Sequence, residues 1–313
     1  MNKEQSIKVS VVIPVYNTEL YVGEAIKSIS NQTLKDIEII VIDDGSTDNS
    51  LDIIKEIAAD DSRLHFFTQS NHGQSVARNC AIHRCQGEYI YFMDSDDILE
   101  STALEECYNR AIASNLDMVI FDAEILNKNS KLSLNINYCR EGKVEEYLTY
   151  AGIDLLHLLF DRNAFTPSPC LYIVKRDFLE NLQLLFHPNI IHEDQLFTLQ
   201  LYLYASSIQY IPKMFFKRRV RENSTMTSSL TMRNVNSYFI IVEELLKLSE
   251  RKEIFKDVID KHIASMLDPL MYLSYKLPLN DRISIALKVL KRYYKYVSNK
   301  NLLILLFKSF IKK

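Results

Sequence analysis

Three carboxylates stand close together, directly after a run of strand-forming residues. The run is Tyr89-Ile-Tyr-Phe-Met93, and Asp94, Asp96 and Asp97 follow it. Carboxylates at this spacing repel one another unless a positive group lies between them. Oxygen-rich sites suit Mg²⁺ or Mn²⁺, and such an ion would in turn bind a diphosphate. Asp-x-Asp is also common in turns and at helix N-termini, so its weight depends on the surrounding elements.

The first hundred residues alternate strand and helix patterns. Strands are predicted over 9–13, 37–42, 64–68 and 88–93. Between them, apolar stripes predict one helix capped by Asn17 or Thr18, a second capped by Ser46 or Thr47, and a third beginning near Gly73. Strands that alternate with helices predict a parallel sheet, and ligands bind at the carboxyl edge of such a sheet.

Side chains suited to a nucleotide follow three of these strands. They are Pro14, Tyr16 and Asn17 after the first strand, Asp44 after the second, and Asp94, Ser95 and Asp96 after the fourth. The pattern predicts a nucleotide pocket with a metal at its phosphate end. The chain has no Gly-x-Gly-x-x-Gly and no Gly-Lys-Ser loop, so dinucleotide dehydrogenases and P-loop enzymes lack their main feature here.

Composition indicates an ordinary globular protein. The chain has 313 residues, of which 47% are hydrophobic and 25% charged. Its five cysteines are odd in number and lack Cys-x-x-Cys spacing, which favours reduced thiols over disulfides or a zinc site. No apolar leader and no run of about 18 apolar residues is present. We therefore expect a cytoplasmic location.

The rest of the chain is mixed and then helical. Strands are predicted over 118–121 and 170–174, and helices over 154–160, 195–204, 235–249, 255–277 and 283–297. Residues 282–313 contain nine Lys/Arg and no Asp/Glu. This basic, apolar tail fits a helix on an anionic membrane surface, and equally a helix packed on the protein or at a homo-oligomer interface. No nucleic-acid motif is present, so nucleic-acid binding is not expected.

Five motifs resemble the family 2 glycosyltransferases of the GT-A fold. They are Val11-Val-Ile-Pro-Val-Tyr-Asn17, Ser30-Asn-Gln-Thr33, Ile40-Val-Ile-Asp-Asp-Gly-Ser-Thr-Asp48, Asn71-His-Gly73 with Ala77-Arg-Asn79, and Gly87-Glu-Tyr-Ile-Tyr-Phe-Met-Asp-Ser-Asp-Asp97. His192-Glu193-Asp194 is a further match. Arg218-Arg-Val-Arg-Glu-Asn-Ser224 resembles the basic loop of bacterial capsule and lipo-oligosaccharide transferases.

The resemblance implies an α/β fold of the nucleotide-diphospho-sugar transferase type, in which helices flank a mixed, Rossmann-like sheet. A helical C-terminal region would follow. Residues 1–100 would form the nucleotide-sugar half, 101–224 the acceptor half with the catalytic base, and 225–313 the helical region.

The resemblance also implies roles for the matched positions in the nucleotide-sugar half. Pro14 and Tyr16 would line the base pocket with Asn17, and Asp44 would read uracil or ribose. Arg78 and Ser95 would lie near the nucleotide, and Asp94 and Asp96 would hold the metal, with Asp94 on the ribose side.

In the acceptor half, Asp194 resembles the catalytic base, with Glu193 beside it. The pair also suits the first turn of a helix, where the dipole favours acidic groups, and both roles can coexist. His192 is expected to be a structural neighbour. Arg219 or Arg221 is expected to fold over the diphosphate, because guanidinium groups match phosphate geometry.

The resemblance therefore implies an inverting, metal-dependent enzyme. It would move a hexose or N-acetylhexosamine from a UDP-sugar to a capsule, O-antigen or lipo-oligosaccharide glycan and give a β-glycoside. The acceptor glycan would be linked to a lipid at the inner face of the membrane. One alternative is a sugar-nucleotide nucleotidyltransferase, although its Gly-rich basic loop is missing. The other is a non-catalytic assembly partner, which has no need of both Asp96 and Asp194.

Overall fold

The computed structural model describes residues 6–126, 137–220 and 229–311, and the chain divides into two compact units. Unit 1 comprises Met1–Asn189 and Phe197–Glu222. Unit 2 comprises Ile190–Leu196 and Asn223–Lys313. The predicted boundary at residue 100, between the two halves of a transferase domain, stays a prediction.

Unit 1 is built on a sheet that has eight strands within the described residues. In chain order they are β1 Val9–Val15, β2 Ile37–Asp43, β3 Leu64–Thr68, β4 Tyr89–Phe92, β5 Ile98–Leu99, β6 Met118–Ile125, β7 Tyr172–Lys175 and β8 Ile208–Arg218. They lie side by side in the order β3-β2-β1-β4-β7-β6-β8-β5. β1 to β4 pair in parallel, whereas β7 and β5 run antiparallel to their neighbours, so the sheet is mixed.

The first four strands confirm the strand predictions. Every residue of β1 and β2 is buried, as expected for parallel strands covered on both faces. The crossover helices are α1 Val22–Ser30, α2 Ser50–Asp60 and α3 Gln74–Ile82. The apolar stripe of α1 is buried as its 3.6-residue spacing predicted.

The second half of unit 1 departs more from the prediction. Its helices are α4 Ala103–Ser114, α5 Gly152–Asp161, α6 Arg176–Leu182 and α7 Asp194–Tyr204, the last of which begins in unit 2. α5 and α7 were predicted, whereas α4, α6, β5 and β8 were missed. The first four residues of β8 are all buried and the next three are partly or fully exposed, so the strand shows no single period that could be read from the sequence.

Unit 2 is helical throughout its described residues. After the first turn of α7 it contains α8 Met232–Arg251, α9 Lys256–Leu273, α10 Leu279–Lys288 and α11 Asn299–Ile311. The predicted helix over 283–297 is wrong in its bounds: π and 3₁₀ turns interrupt it from Val289 to Tyr296, and α11 follows. None of the helices that the structure describes combines the length and the apolar character needed to cross a bilayer.

One side of the basic tail is buried within unit 2, as the packed-helix alternative predicted. Tyr293 and Leu305 are fully buried. Arg282 is also buried, and its guanidinium donates from Nε to the carbonyl of Leu305 at 2.6 Å and from a terminal nitrogen to that of Leu306. These charge-assisted bonds join α10 to α11.

Candidate active site

The carboxyl ends of β1, β2 and β4 meet at one edge of the sheet, here called the rim (residues 14–17, 43–46 and 94–97). Val15 pairs with Asp43, and the Asp44 N–H donates to the Val15 carbonyl at 2.8 Å. On the other side, the Met93 N–H donates to the Val12 carbonyl at 2.9 Å. The structure therefore brings together the three strand ends that the sequence singled out.

The first two loops of the rim are bonded to each other. Asn17 adopts φ +51° and donates its N–H to the Ser46 Oγ at 3.1 Å, while its side-chain oxygen accepts the Thr47 N–H at 2.8 Å. Ser46 and Thr47 are thus occupied by Asn17, so their predicted capping of α2 is wrong. The oxygens of Asp48 instead accept the Ser50 and Glu19 N–H groups, both at 3.0 Å.

The start of α1 also differs from the prediction. Neither Asn17 nor Thr18 caps it through a side chain: the helix begins at Val22, whose N–H donates to the Thr18 backbone carbonyl at 2.9 Å. The Thr18 hydroxyl instead donates to Ser95 Oγ at 3.1 Å. Ser95 is buried, so this bond ties the β1 loop to the acidic segment after β4.

Asp44 holds the loop that precedes α3. Its carboxylate is 2% exposed and accepts the Gln69 side-chain N–H at 2.7 Å, the His72 N–H at 2.9 Å and the Gly73 N–H at 2.7 Å. Gly45 next to it has φ +75°, and a Cβ there would lie 3.0 Å from the Asn71 nitrogen. Since a carboxylate offers about four acceptor positions, Asp44 retains capacity for one further donor.

Beside the Asp44 loop, the ring of Tyr16 is 47% exposed, and Pro14 before it is buried in β1. The rim therefore offers an aromatic side chain that is about half exposed, directly after a buried strand.

Asp94 lies between two arginines. One of its oxygens accepts from Arg78 at 2.7 Å, and the other lies 3.6 Å from Arg218. Arg78 is itself 3% exposed and lies over the Phe186 ring, 5.1 Å from its centroid. Burial opposes ionisation of Asp94, but the charges of Arg78 and Arg218 outweigh it and lower the pKa of this carboxyl.

Asp97 has the opposite electrostatic environment. Burial, reinforced by the charges of Asp96 and Asp94, raises the pKa of Asp97 well above its usual range. The Arg219 N–H donates to Asp97 Oδ1 at 2.6 Å, and the Arg219 Nε donates to the Asp96 backbone carbonyl at 2.9 Å. The end of β8 thus fixes the backbone of the acidic segment.

The arginines change the argument for a metal. The sequence pattern suggested that a cation must separate the carboxylates, whereas Arg78 and Arg218 already compensate Asp94. No group of three or more His, Cys, Asp or Glu side chains within the described ranges is arranged to hold an ion. Mg²⁺ is nevertheless usually bound by only one or two protein carboxylates, and phosphates of the substrate complete its coordination. Because both oxygens of Asp94 face arginines, Asp96 is the stronger candidate ligand.

Sequence reasoning missed Arg218 as a partner of Asp94. The sequence motif predicted a role for Arg219 or Arg221 at the diphosphate, although Arg218 belongs to the same basic motif. Arg221 lies outside the described residues. Arg219 pairs with Glu24 at 2.5 Å and lies over the Tyr21 ring. A signal was present, since Arg218 lies two positions after the apolar run Met214-Phe-Phe216, but its partner is 124 positions away in the chain.

Glu193 and Asp194 lie in unit 2, whereas the rim lies in unit 1. Asp194 is the first residue of α7, and its Oδ1 accepts the Gln195 N–H at 2.9 Å. Glu193 is 1% exposed. Burial together with the charge of Asp194 raises the pKa of Tyr238, on α8, to about 12.

Comparison with known proteins identifies the family. The family model described as "Glycosyl transferase family 2" matches residues 10–177. A cholesterol galactosyltransferase of Borreliella burgdorferi is 32% identical over 296 residues, which cover 92% of this chain and 80% of that protein. The poly(ribitol-phosphate) beta-N-acetylglucosaminyltransferase TarP of Staphylococcus aureus is 29% identical over 82% of this chain and 76% of its own.

Solved structures agree on the fold. The crystal structure of residues 1–349 of S. aureus TarS in complex with UDP-GlcNAc aligns with a TM-score of 0.71, covering 95% of this chain and 83% of that one at 22% identity. The mixed sheet, its flanking helices and the helical C-terminal region match the predicted GT-A fold. This chain therefore belongs to glycosyltransferase family 2 and has the GT-A fold.

Proposed function

We propose that the protein transfers a hexose or N-acetylhexosamine from a UDP-sugar to a hydroxyl group of a bacterial surface glycan, with inversion at the anomeric carbon. The rim is the main observation behind this proposal. At one edge of the sheet it combines an exposed aromatic ring, hydrogen-bonding groups and a cluster of carboxylates, of which Asp94 is compensated by two arginines. Relatives support it: TarS binds UDP-GlcNAc, and TarP is named for N-acetylglucosaminyl transfer to poly(ribitol phosphate).

The uridine would bind on the first two strand ends. The open face of Tyr16, 47% exposed, offers a stacking surface for the base. Pro14 and Asn17 shape the backbone beneath it. The remaining acceptor position of Asp44 suits an N–H of uracil or a ribose hydroxyl. Its three existing bonds would keep that carboxylate in place before the donor arrives.

The diphosphate would lie at the acidic segment, with Asp96 as metal ligand and Asp94 toward the ribose. A bound Mn²⁺ or Mg²⁺ supplies Lewis-acid neutralisation of the leaving diphosphate. Arg219 would fold over the phosphates once it releases Glu24, which is 57% exposed. Arg219 itself is 14% exposed and donates from Nε to the Asp96 carbonyl, so its terminal nitrogens would turn from Glu24 to the phosphates. Arg221 is the other candidate for the same contact.

Asp194 would accept the proton of the attacking hydroxyl, with Glu193 beside it. A general base must be ionised and within hydrogen-bond reach of that proton. The start of α7 favours the ionised form, because helix N-termini stabilise negative charge. Direct attack by one activated hydroxyl inverts the anomeric carbon, so an α-linked UDP-sugar gives a β-glycoside.

We further propose that the acceptor is presented at an anionic membrane surface. Five apolar residues recur on one side of α10 and the turns after it. This α10 stripe consists of Leu279, Ile283, Leu287, Leu290 and Tyr294, each between 43% and 63% exposed. Residues 282–313 add nine basic and no acidic groups. That charge disfavours a second copy of the same face and favours anionic lipid. A galactosyltransferase relative is named for cholesterol, a membrane lipid.

The central test measures UDP release from a panel of UDP-sugars, with and without Mn²⁺. We expect one donor to be hydrolysed slowly and to be turned over faster with a glycan acceptor. Asp194→Asn should keep UDP affinity and lose roughly a hundredfold or more in turnover. Asp177→Asn is the matched control, because Asp177 also lies in the first turn of a helix and is 68% exposed.

Three outcomes would contradict the proposal. Retained turnover in Asp194→Asn would remove it as the base. Pyrophosphate release from a nucleoside triphosphate and a sugar phosphate would favour the nucleotidyltransferase alternative. Failure of the folded protein to bind UDP with or without Mn²⁺ would favour the non-catalytic assembly partner.

A further inference from the structure

The turn that leads into α7 has an unusual backbone. Asn189 and His192 adopt φ +63° and +64°, the left-handed region that residues other than glycine rarely occupy. This region is less favourable than the right-handed one for a residue with a Cβ, so the conformation persists where neighbouring groups hold it. The neighbours here lie on α8, where the Ser237 Oγ accepts the Ile191 N–H at 3.2 Å.

His192 makes two further contacts with α8. Its ring stacks on Tyr238, with centroids 4.8 Å apart and planes inclined by 23°. Its Nε2 lies 3.2 Å from the side-chain nitrogen of Asn234. Ile191 and His192 are therefore joined to α8 by a backbone bond, a ring stack and a side-chain bond.

The protonation state of His192 follows from how Asn234 is held. The Asn234 Oδ1 accepts the Thr231 N–H at 2.9 Å and lies 2.8 Å from the Thr231 hydroxyl. A backbone N–H can only donate, so the oxygen of the amide must face Thr231. The amide nitrogen then faces His192 and can only donate. His192 Nε2 must therefore be the acceptor, and the imidazole is neutral with its proton on Nδ1.

The charges around His192 agree with a neutral ring. Burial lowers its pKa, although the neighbouring Glu193 opposes this shift. On its own turn, Asp194 is the other charged group. From α8, Tyr238 faces it as a neutral phenol, since burial and Asp194 raise the pKa of Tyr238 to about 12. From α9, His262 reaches the same turn through the Gln195 carbonyl at 3.2 Å.

We propose that neutral His192 is a positioning residue for Asp194. By accepting the Asn234 hydrogen bond and stacking on Tyr238, it holds the left-handed turn from which Glu193 and Asp194 enter α7. This inference rests on the proposed role of Asp194 as the base. Protonation of His192 Nε2 would turn this acceptor into a donor that faces the Asn234 amide nitrogen, which is also a donor. The hydrogen bond would then be lost, and Asp194 would shift.

Two variants separate the hydrogen bond from the ring stack. His192→Phe keeps an aromatic ring but has no acceptor. We expect its kcat to be roughly tenfold to a hundredfold below that of the wild type above the His192 midpoint and to approach the wild-type value below it, with the donor KM unchanged. Asn234→Asp keeps an oxygen for the Thr231 N–H and offers a second oxygen to a protonated His192, so the contact survives protonation. His83→Phe, at an exposed histidine after α3, is the control.

The measurements are the pH dependence of kcat and the titration of the His192 ring by NMR. In the wild type, one acid-side decline of kcat should coincide with the His192 midpoint, which should lie below the usual value for histidine. In Asn234→Asp that midpoint should rise above the usual value, and kcat should no longer follow it.

Wild-type kcat in His192→Phe across the pH range would overturn the inference. So would an NMR spectrum at pH 7.5 with the His192 proton on Nε2. The tautomer measurement needs no turnover, so it tests the contact independently of catalysis. A wrong assignment of the base would be seen separately, as retained turnover in Asp194→Asn.

Discussion

At the scale of single residues, the acidic segment shows how neighbours decide the fate of similar groups. Asp94 and Asp97 are three positions apart and both experience burial, which disfavours the charged form. Asp94 faces Arg78 and Arg218, and its pKa is lowered. Asp97 faces Asp96 and Asp94, and its pKa is raised. Arg78 and Arg218 therefore compensate Asp94, whereas Asp96 remains the candidate metal ligand.

This division predicts different phenotypes for two isosteric changes. Asp94→Asn leaves Arg78, 3% exposed, without its counter-charge. Removing one partner of a fully buried pair costs about 3–5 kcal/mol. Asp94 is 25% exposed, so we expect a smaller loss that still lowers Tm. Asp96→Asn should leave Tm near that of the wild type but abolish the Mn²⁺-dependent part of UDP affinity. Calorimetry measures both quantities, and unchanged Mn²⁺-dependent affinity in Asp96→Asn would refute its role as a ligand.

At the scale of elements, the first turn of α7 depends on α9 as well as on α8. His262 is 1% exposed, and its Nε2 donates to the Gln195 carbonyl at 3.2 Å. Burial lowers the pKa of His262 to about 4, although the bond to Gln195 opposes this shift. The helix that carries the candidate base is therefore supported by a histidine that must stay neutral in the folded protein.

The stability of the protein should fall on the acid side for this reason. An unfolded histidine titrates near pH 6.5, so between pH 6.5 and 4 the unfolded state binds the proton more readily. The contribution of His262 is complete above pH 6.5 and is lost as the pH falls to about 4. It amounts to about 3 kcal/mol. Urea unfolding at pH 7.5 and 4.5 measures it.

His262→Gln is the matched comparison, because its amide can still donate to the Gln195 carbonyl but does not titrate in this range. Its free energy of unfolding should decline less on acidification than that of the wild type. An equal decline in both proteins would show that other groups cause the acid sensitivity.

At the scale of the whole molecule, apolar surface and positive charge coincide in one region of unit 2. The tail could not be assigned to a membrane or to the core from its composition. In the structure the tail has a buried side and an exposed side. Tyr293 and Leu305 are buried, whereas Leu303 and Phe307 are 58% and 51% exposed. Removal of the whole tail would therefore disrupt unit 2. Point changes on the α10 stripe test membrane binding without that complication.

We expect Leu287→Gln with Leu290→Gln to weaken binding to phosphatidylglycerol vesicles by about tenfold or more, because two apolar side chains no longer enter the interface. These residues are 63% and 51% exposed, so Tm should change little. Ile254→Gln, at a residue 71% exposed outside the stripe, should bind as the wild type does. If the wild-type protein does not bind anionic vesicles but sediments as a dimer, a second copy of the chain covers the α10 stripe.

The sequence by itself determined the first four strands, the helices between them and the residues at the strand ends. Strand and helix patterns predicted β1 to β4 and α1 to α3, because the continuous apolar runs of buried parallel strands and the 3.6-residue period of amphipathic helices are both read locally. The rule that ligands bind at carboxyl strand ends then placed Tyr16, Asp44 and Asp96 at one edge. Within the described residues these placements agree with the structure.

Only the tertiary structure decided the partners of these residues. Asp94 pairs with Arg78 and Arg218, and Asp97 is bonded to Arg219 across 122 positions. The structure also decided that His192 accepts from Asn234, and which side of the tail is buried. Local periodicity records which face of an element is apolar. It carries no information about which distant charge or donor arrives there, because that depends on how strands and helices far apart in the chain pack together.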